Sequence, residues 1–218
     1  EQAIKLRKKY STNVCRVSSA KFFADGVVES HTAALLEPYS DGVGGSGFVN
    51  WQCEKLARMI TAFDKNDFQI HVHAIGDRAA RSTLDAIEEM RRNNGESDNR
   101  PHIAHLQLVE SSDIPRFRKL HVSATFQPLW AYRDAYVKEL TEPVLGTSRT
   151  SSMYPIASFV QSGATISAGS DWTVSSLNPL EAIEVAVTRR ALGEKEAEPL
   201  DASQAVSLKE IIAAYPIG

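Results

Sequence analysis

Short apolar runs alternate along the chain with stretches of helical periodicity. Apolar residues recur at helical spacing in 51–65 and again in 152–161, and this spacing predicts amphipathic helices. Brief apolar runs bounded by turn residues, such as FQIHVHA at 68–74, predict buried strands. The predicted strands cover 15–24, 68–74, 101–108, 121–127 and 164–170. Strands that alternate with helices are typical of a parallel sheet, so we predict an α/β fold.

Capping residues predict where several helices begin. Asp77 is a candidate N-cap of a helix that ends near the sequence NNG at 93–95. Asn178 followed by Pro179 indicates a helix start, and Ser207 with Glu210 has the spacing of a capping box. A short helix is expected to begin at Ser111 or Ser112.

Two segments lack periodicity and are predicted to be long loops. The first, 26–50, contains the glycine-rich sequence GVGGSG and reads as a functional loop or an insertion. The second, 129–150, is rich in charge. The chain has no internal repeat, no credible domain linker and neither of the usual glycine-rich nucleotide-binding motifs.

Composition narrows the class of protein without naming a function. The 218 residues carry a formal net charge of −3, which gives no case for a nucleic-acid or anionic-membrane surface. Cys15 and Cys53 form no CxxC pair and no disulfide framework. There is no apolar run long enough to cross a membrane, and the first 20 residues lack the apolar core of a signal peptide. We therefore expect a soluble, cytoplasmic α/β protein.

The histidines are concentrated on two neighbouring strands. His71 and His73 lie two residues apart on one strand, so their side chains are expected on the same face. His102 and His105 are three apart on the next strand, so they are expected on opposite faces. His105 and His73 are nearer the carboxyl ends, so His102 is interpreted as facing away and structural.

Four candidate residues fall at the carboxyl ends of predicted strands. They are Lys21, His73, His105 and Asp171, each on a different strand. Active sites of β/α barrels lie at this end of the strands, and imidazole with carboxylate suits zinc or another divalent metal. Each residue alone has a simpler explanation, as a core histidine, a turn aspartate or a solvated lysine. Their joint placement favours a metal site.

These residues lie within motifs that resemble a known family. The chain resembles the amidohydrolase superfamily of metal-dependent hydrolases, and most closely its family 3 branch, with its YtcJ-like and N-substituted formamide deformylase-like proteins. The motif HAIGDRA at 73–79 is distinctive, whereas SDW at 170–172 alone is weak. The motifs occur in the family's order and read KFFADGVVESHTA (21–33), HVHAIGDRA (71–79), RPHIAH (100–105), QP (127–128) and SDW (170–172).

The resemblance implies a role for each of the four strand-end residues. His73 and His105 would be metal ligands on the fifth and sixth strands of a barrel. Asp171 would be the eighth-strand acid, which binds metal and shuttles the proton. Lys21 occupies the fourth-strand position, where the superfamily often has a carboxylated lysine that bridges two metal ions. The resemblance thus implies one or two divalent metal ions, and zinc is the expected metal.

The implied chemistry is hydrolysis of an amide-like carbon–nitrogen bond other than a peptide bond. Metal-activated water would attack the carbonyl, and Asp171 would pass the proton to the leaving amine. Trp130 and Trp172, with Tyr132, are candidates to line an apolar substrate pocket; packing in the core is the alternative. The expected partner is therefore a small amide-like molecule, with no nucleic acid or membrane and with a homo-oligomer possible.

The other candidate residues receive structural interpretations. His71 is expected deeper in the barrel, in a core or supporting role. Asp25 is expected to shape the turn at its strand end. His31 lies in a loop, where contact with substrate and simple solvation are both open.

The resemblance also implies parts that are missing from these residues. The family's paired histidines on the first strand and the three strands before Lys21 have no match, and an eight-stranded barrel takes about 250 residues. We therefore expect 1–218 to be a single incomplete barrel domain, a partial TIM-type barrel holding strands four to eight. Open strand edges would favour aggregation or dimers. One alternative is an inactive fragment or pseudoenzyme that keeps the scaffold, and another is a Schiff-base enzyme that uses Lys21.

Overall fold

The computed structural model describes residues 1–215, which form a five-stranded parallel sheet. The strands lie in chain order across the sheet, and each is hydrogen-bonded in parallel to the next. Their bounds are Ser19–Phe23 (β1), Gln69–Ala74 (β2), His102–His105 (β3), Ser123–Phe126 (β4) and Ile166–Ala168 (β5). This confirms the α/β class and the arrangement of a partial (β/α) barrel, because consecutive parallel strands joined by helices build such a barrel.

Helical segments connect the strands and cover the outside of the sheet. No helix within residues 1–215 has the length and apolar character needed to cross a bilayer. Short turns of 3₁₀ helix occur at Ser111–Asp113, Pro128–Trp130 and Ala202–Gln204, and a π-helical turn spans Val137–Thr141. The α-helices are Gln2–Tyr10 (α1), Cys53–Asp64 (α2), Asp77–Asn94 (α3), Ile114–Lys119 (α4), Glu142–Leu145 (α5), Thr147–Ser151 (α6), Ile156–Gln161 (α7), Pro179–Thr188 (α8) and Leu208–Ala214 (α9).

The longest helix, α3, shows how the sequence pattern produces the packing. Ala80, Leu84, Ile87 and Met90 follow one another at intervals of four, three and three residues, and all are fully buried. This stripe faces the sheet and α2 because residues at that spacing share one side of a helix. Burying each of the larger side chains contributes about 1.5–3 kcal/mol, so the apolar stripe stabilises α3 in its position beside β2.

The capping predictions hold at two helices and fail at two others. The Asn178 side chain accepts a hydrogen bond from the Leu180 amide at 3.1 Å, and Ser207 forms a complete capping box with Glu210. Asp77 is not the N-cap of α3, because Gly76 occupies that position. The Asp77 carboxylate instead accepts from the backbone amide of Leu36 at 2.8 Å, so it ties the preceding loop to the helix. Neither Ser111 nor Ser112 caps α4, whose N-cap is Asp113.

The prediction of a long loop over 129–150 is wrong. This segment contains the π-helical turn and the helices α5 and α6. Val137, Thr141 and Leu145 lie four residues apart and are buried, which is a narrow helical stripe in a polar, charged segment. The helix α1 was also not predicted, because none of its residues is buried and its sequence therefore has no clear apolar face.

The segment 26–50 contains no helix or strand, and it is packed against the rest of the chain. Its residues Ala33 to Leu35 are fully buried. The Arg78 guanidinium donates to the carbonyl oxygens of Ser46 and Gly47 at 2.9 and 2.8 Å, which holds the far end of the loop against α3. Gly76 allows this close approach, since a side chain there would lie 2.0 Å from the Ala34 carbonyl oxygen.

Candidate active site

The carboxyl ends of β2 and β3 bring two predicted ligands, His73 and His105, side by side. Their ring centroids are 4.6 Å apart and nearly perpendicular, and the residues are only 8% and 5% exposed. The Phe23 ring, from the end of β1, lies 5.0 Å from the His73 ring. The two imidazoles therefore sit together in a largely dry environment at the end of the sheet where barrel active sites form.

The backbone at His105 explains how these rings meet. The sheet register pairs Ala74 with His105, so strict alternation would turn His105 away from the face that His73 occupies. The φ angle of His105 is +83°, and Leu106 follows with +49°. This left-handed stretch ends the regular strand and lets the His105 ring turn back toward His73.

The prediction that His102 faces away from the site is therefore wrong. His102 is paired with His71 in the parallel register, and their ring centroids are 4.1 Å apart. Parallel partners point to the same face, so His71, His73 and His102 share one side of the sheet. The error came from extending perfect strand alternation through His105.

Hydrogen bonds determine which ring nitrogen is available in each imidazole. His105 Nδ1 lies 2.8 Å from the Gln127 carboxamide oxygen, and His73 Nε2 lies 2.9 Å from the Gly26 carbonyl oxygen. Both partners can only accept, so these two nitrogens carry the protons. His105 Nε2 and His73 Nδ1 are left with lone pairs, and the Gln127 contact is the kind of support that orients metal-ligating histidines.

Burial keeps these rings uncharged at neutral pH. It lowers the pKa of His105 to about 4, and the neighbouring His73 adds to that effect. Burial likewise lowers the pKa of His73, and it lowers that of His71 to about 3. Neutral imidazole is the form that ligates metals, so the electrostatics favour ligation over a positively charged pair.

Lys21 lies in the middle of β1, whereas Asp171 lies beyond the carboxyl end of β5. Lys21 Nζ is 2.7 Å from His71 Nε2, and His71 is also the residue paired with Lys21 in the parallel register. Burial lowers the pKa of Lys21, and the charge of Asp171 opposes that shift. Asp171 follows β5 on an exposed turn with a φ of +53°.

The donors present match a divalent metal in kind but supply only part of a complete ligand set. In the part of the chain that the structure describes, no three His, Cys, Asp or Glu side chains converge as ligands. Catalytic zinc takes three protein ligands with one open position. His73 and His105, with their neutral rings and oriented nitrogens, fit two of those three positions.

Asp25 lies next to His73, although the sequence predicted for it only a role in shaping the strand-end turn. Its buried carboxylate accepts from the backbone amides of Ala34, Ile75 and Gly76 at 2.9 to 3.0 Å. One of its oxygens is 3.6 Å from His73 Nε2. Burial raises the pKa of Asp25 to about 7 despite those three donors. The geometry agrees with the interpretation that Asp25 shapes the strand-end turn, and it also joins the loop over 26–50 to β2.

A cavity of about 470 Å³ lies on the other side of Trp130, and neither His73 nor His105 is among its lining residues in the described part of the chain. Trp130 forms part of its wall, and the same indole stacks on His105 with centroids 5.6 Å apart and planes at 9°. Tyr132 also lines it. Trp172 is 65% exposed and is not among the lining residues, so the two tryptophans occupy different environments. His31 is not in the cavity wall either; its Nε2 lies 2.8 Å from the Asp41 carboxylate.

Comparisons with known proteins show which sequences and which fold the chain is similar to. A sequence model of the amidohydrolase family matches residues 1–218. The chain is 34% identical over 174 residues to LONG AFTER FAR-RED 3 of Arabidopsis thaliana, covering 79% of this chain and 29% of that protein. It is 28% identical over 212 residues to the putative amidohydrolase YtcJ of Bacillus subtilis (strain 168), covering 97% of this chain and 39% of that protein.

A solved structure shares the fold. It is that of an uncharacterized metal-dependent hydrolase from Pyrococcus horikoshii OT3, with a TM-score of 0.80 and 24% sequence identity. The match covers 98% of this chain and 42% of that one. The chain thus spans well under half the length of these proteins.

Proposed function

The chain belongs to the amidohydrolase family, and on that premise we propose that it forms part of the catalytic barrel of a metal-dependent hydrolase. The reaction proposed is cleavage of an amide-like carbon–nitrogen bond in a small, non-peptide molecule. The observation that carries the proposal is the pairing of His73 and His105, two buried imidazoles 4.6 Å apart. These two rings lie at the carboxyl ends of β2 and β3, where barrel active sites form, unlike the rings of His71 and His102 farther back on the same strands.

His73 and His105 would hold the metal through His73 Nδ1 and His105 Nε2, the nitrogens left unprotonated by their hydrogen bonds. A bound divalent cation supplies a nucleophile at neutral pH, because it lowers the pKa of water from about 15.7 to about 7. Gln127 keeps the His105 ring in one orientation through the 2.8 Å bond to Nδ1. Burial keeps both rings neutral, so the cation does not have to displace a proton from them.

Asp171 is the proposed third ligand and proton carrier. As a carboxylate on an exposed turn after β5, it can accept a proton from the attacking water and return it to the leaving nitrogen. This role requires the Asp171 side chain to approach the two rings from its present turn. Lys21, proposed as a fourth ligand after carboxylation, would have to give up its contact with His71 Nε2.

A second candidate function is a scaffold that binds metal weakly and has no activity by itself. It is favoured by one observation, the lack of a converged three-ligand group in residues 1–215. The two candidates predict different metal contents.

Metal analysis after equilibrium dialysis against zinc separates the two candidates. We expect about one tightly held zinc per chain in the unaltered protein. We expect its loss in His73→Ala and in His105→Ala, because each removes a nitrogen ligand. His121→Asn is the matched control, since His121 is exposed at the amino end of β4. A protein that retains no zinc contradicts the metal site and favours the scaffold.

Activity is tested separately with the zinc-loaded protein. A panel of N-substituted formamides and other N-acyl amines is offered, and release of the amine is measured. Hydrolysis that is lost in Asp171→Asn while zinc is retained supports the proposed proton carrier. Zinc binding without hydrolysis of any amide in the panel would favour the scaffold.

A further inference from the structure

The cavity beside Trp130 combines aromatic walls with two acidic side chains. Trp130, Tyr132 and Tyr154 supply aromatic surface, and Glu29 and Asp134 supply carboxylates. None of its lining residues in the described part of the chain is a lysine or an arginine. The charge of this cavity is therefore negative at neutral pH.

Both carboxylates are held in place by neutral groups. Glu29 accepts a hydrogen bond from the Thr141 hydroxyl at 2.5 Å, and Asp134 accepts one from the Val137 amide at 2.8 Å. Among the ion pairs of residues 1–215, neither carboxylate has a cationic partner within 4.0 Å. Two partly buried negative charges without a counter-ion favour the entry of a positive group.

A third polar group in the cavity wall is open to a donor. Gln107 is only 6% exposed, and its NH₂ group donates to the thioether of Met153 at 3.2 Å. Within residues 1–215 its carboxamide oxygen has no hydrogen-bond partner, although the side chain lines the cavity. This oxygen is not among the fully buried side-chain atoms that lack a partner, so it reaches the solvent of the cavity and is free to accept from a ligand that brings N–H groups.

The tyrosines of the wall stay uncharged and so add aromatic faces without adding charge. Burial raises the pKa of Tyr132, with the charge of Asp134 acting in the same direction. Burial raises the pKa of Tyr154 as well. Neutral aromatic faces attract ammonium and guanidinium groups, most strongly where water is excluded.

We propose that this cavity selects substrates in which the amide is joined through an apolar group to a positively charged nitrogen, an ammonium or a guanidinium. The proposal rests on the proposed function, since it names the substrate class for that site. Trp130 links the two halves, because its indole contacts His105 on one side and lines the cavity on the other. The amide lies toward His105, and the cation lies between Glu29, Asp134 and the aromatic faces. A volume of about 470 Å³ suits a small ligand of this shape.

Direct binding of a matched pair of probes tests the charge preference without any need for turnover. Benzylammonium and benzyl alcohol have nearly the same size and differ in charge. Their affinities are measured by isothermal titration calorimetry, with total tryptophan fluorescence as a second readout. We expect benzylammonium to bind at least about fivefold more tightly, with the advantage shrinking as salt is added. Equal affinities, or no binding of either probe, would overturn the proposal.

Two variants locate the preference at the carboxylates. Glu29→Gln and Asp134→Asn each keep an acceptor oxygen for their present hydrogen bond, so the fold is expected to persist, and circular dichroism checks this. We expect each to weaken benzylammonium binding about fivefold or more and to leave benzyl alcohol within about twofold. Glu139→Gln is the matched control, because Glu139 is exposed on the π-helical turn Val137–Thr141 and does not line the cavity. A preference for benzylammonium that survives both cavity variants would also overturn the proposal.

The outcomes separate this inference from the proposed function. A protein that binds benzylammonium in the expected way but hydrolyses no amide keeps the cavity assignment and loses the hydrolase assignment. A protein that hydrolyses amides with no advantage for cationic ones loses the cavity assignment alone.

Discussion

The contact between Gly76 and the loop over 26–50 leads to a strong prediction for stability. Gly76→Ala would place a new Cβ 2.0 Å from the Ala34 carbonyl oxygen and 2.6 Å from its carbonyl carbon. Those are backbone atoms, so the overlap can be relieved only if the loop moves away from α3. Such a movement lengthens the bonds from the Arg78 and Ala79 amides to the Ala34 oxygen, now 3.1 and 3.3 Å, and the bond from the Leu36 amide to the helix.

The size of the effect follows from these contacts. Overpacking costs about 1–3 kcal/mol, and the loss of two hydrogen bonds costs about 1 kcal/mol each. We therefore expect Gly76→Ala to lower the free energy of unfolding by about 3–5 kcal/mol, which corresponds to a fall of roughly 6–20 °C in Tm. Urea titration followed by circular dichroism measures the first quantity, and a thermal scan measures the second.

The matched control for this prediction is Gly169→Ala. A Cβ at Gly169 meets nothing within 4 Å, and its φ is not in the left-handed region, so we expect a change below about 1 kcal/mol. If Gly76→Ala unfolds at the same urea concentration as Gly169→Ala, then the close approach of the loop is not a constraint on the fold and the reasoning is refuted.

Two further predictions concern buried charge. In metal-free buffer the free energy of unfolding should fall as pH falls from about 6.5 to about 4. Burial lowers the pKa of His105 to about 4 and lowers that of His71, His73 and His102, so the unfolded chain binds more protons than the folded one in this range. The raised pKa of Asp25 acts in the opposite direction, but one carboxyl is outweighed by four imidazoles. Urea titrations at pH 5 and pH 7 check this, and greater stability at pH 5 would contradict it. Arg189 is fully buried and donates to the carbonyl oxygens of Met153 and Tyr154. Arg189→Met should cost about 1–3 kcal/mol, because it leaves the Met153 oxygen unpaired while the Tyr154 oxygen keeps its bond from the Ile156 amide. Urea titration beside Arg189→Lys measures that cost, and a loss below about 0.5 kcal/mol for the methionine variant would rule out the assigned role.

The fold was predictable where the signal lies within a few residues. The starts of α8 and α9 follow from caps that contact amides two or three residues away, at Asn178 and Ser207. The five strands follow from short apolar runs, and their parallel order follows from the helices between them. The segment 129–150 was missed because its buried positions are few, and α1 because its residues bury no face.

The sequence predicted that His73 and His105 lie together, but not the backbone geometry that brings them there. The motifs identified His73 and His105, and the structure brings those two rings together. The roles proposed for Lys21 and Asp171 stay predictions. The structure places Lys21 against His71 and Asp171 on an exposed turn.

The sequence by itself determined the class of fold, the order of the strands and the two histidines at the carboxyl ends of β2 and β3, because periodicity and turn residues depend on short stretches of chain. Only the tertiary structure decided which side chains meet. The left-handed backbone at His105 overrides strand alternation, and the parallel register places His102 against His71. The cavity with Glu29 and Asp134 joins residues more than 100 positions apart. The packing of a loop and a helix on the sheet brings these residues together, and no pattern of neighbouring residues in the sequence predicts that packing.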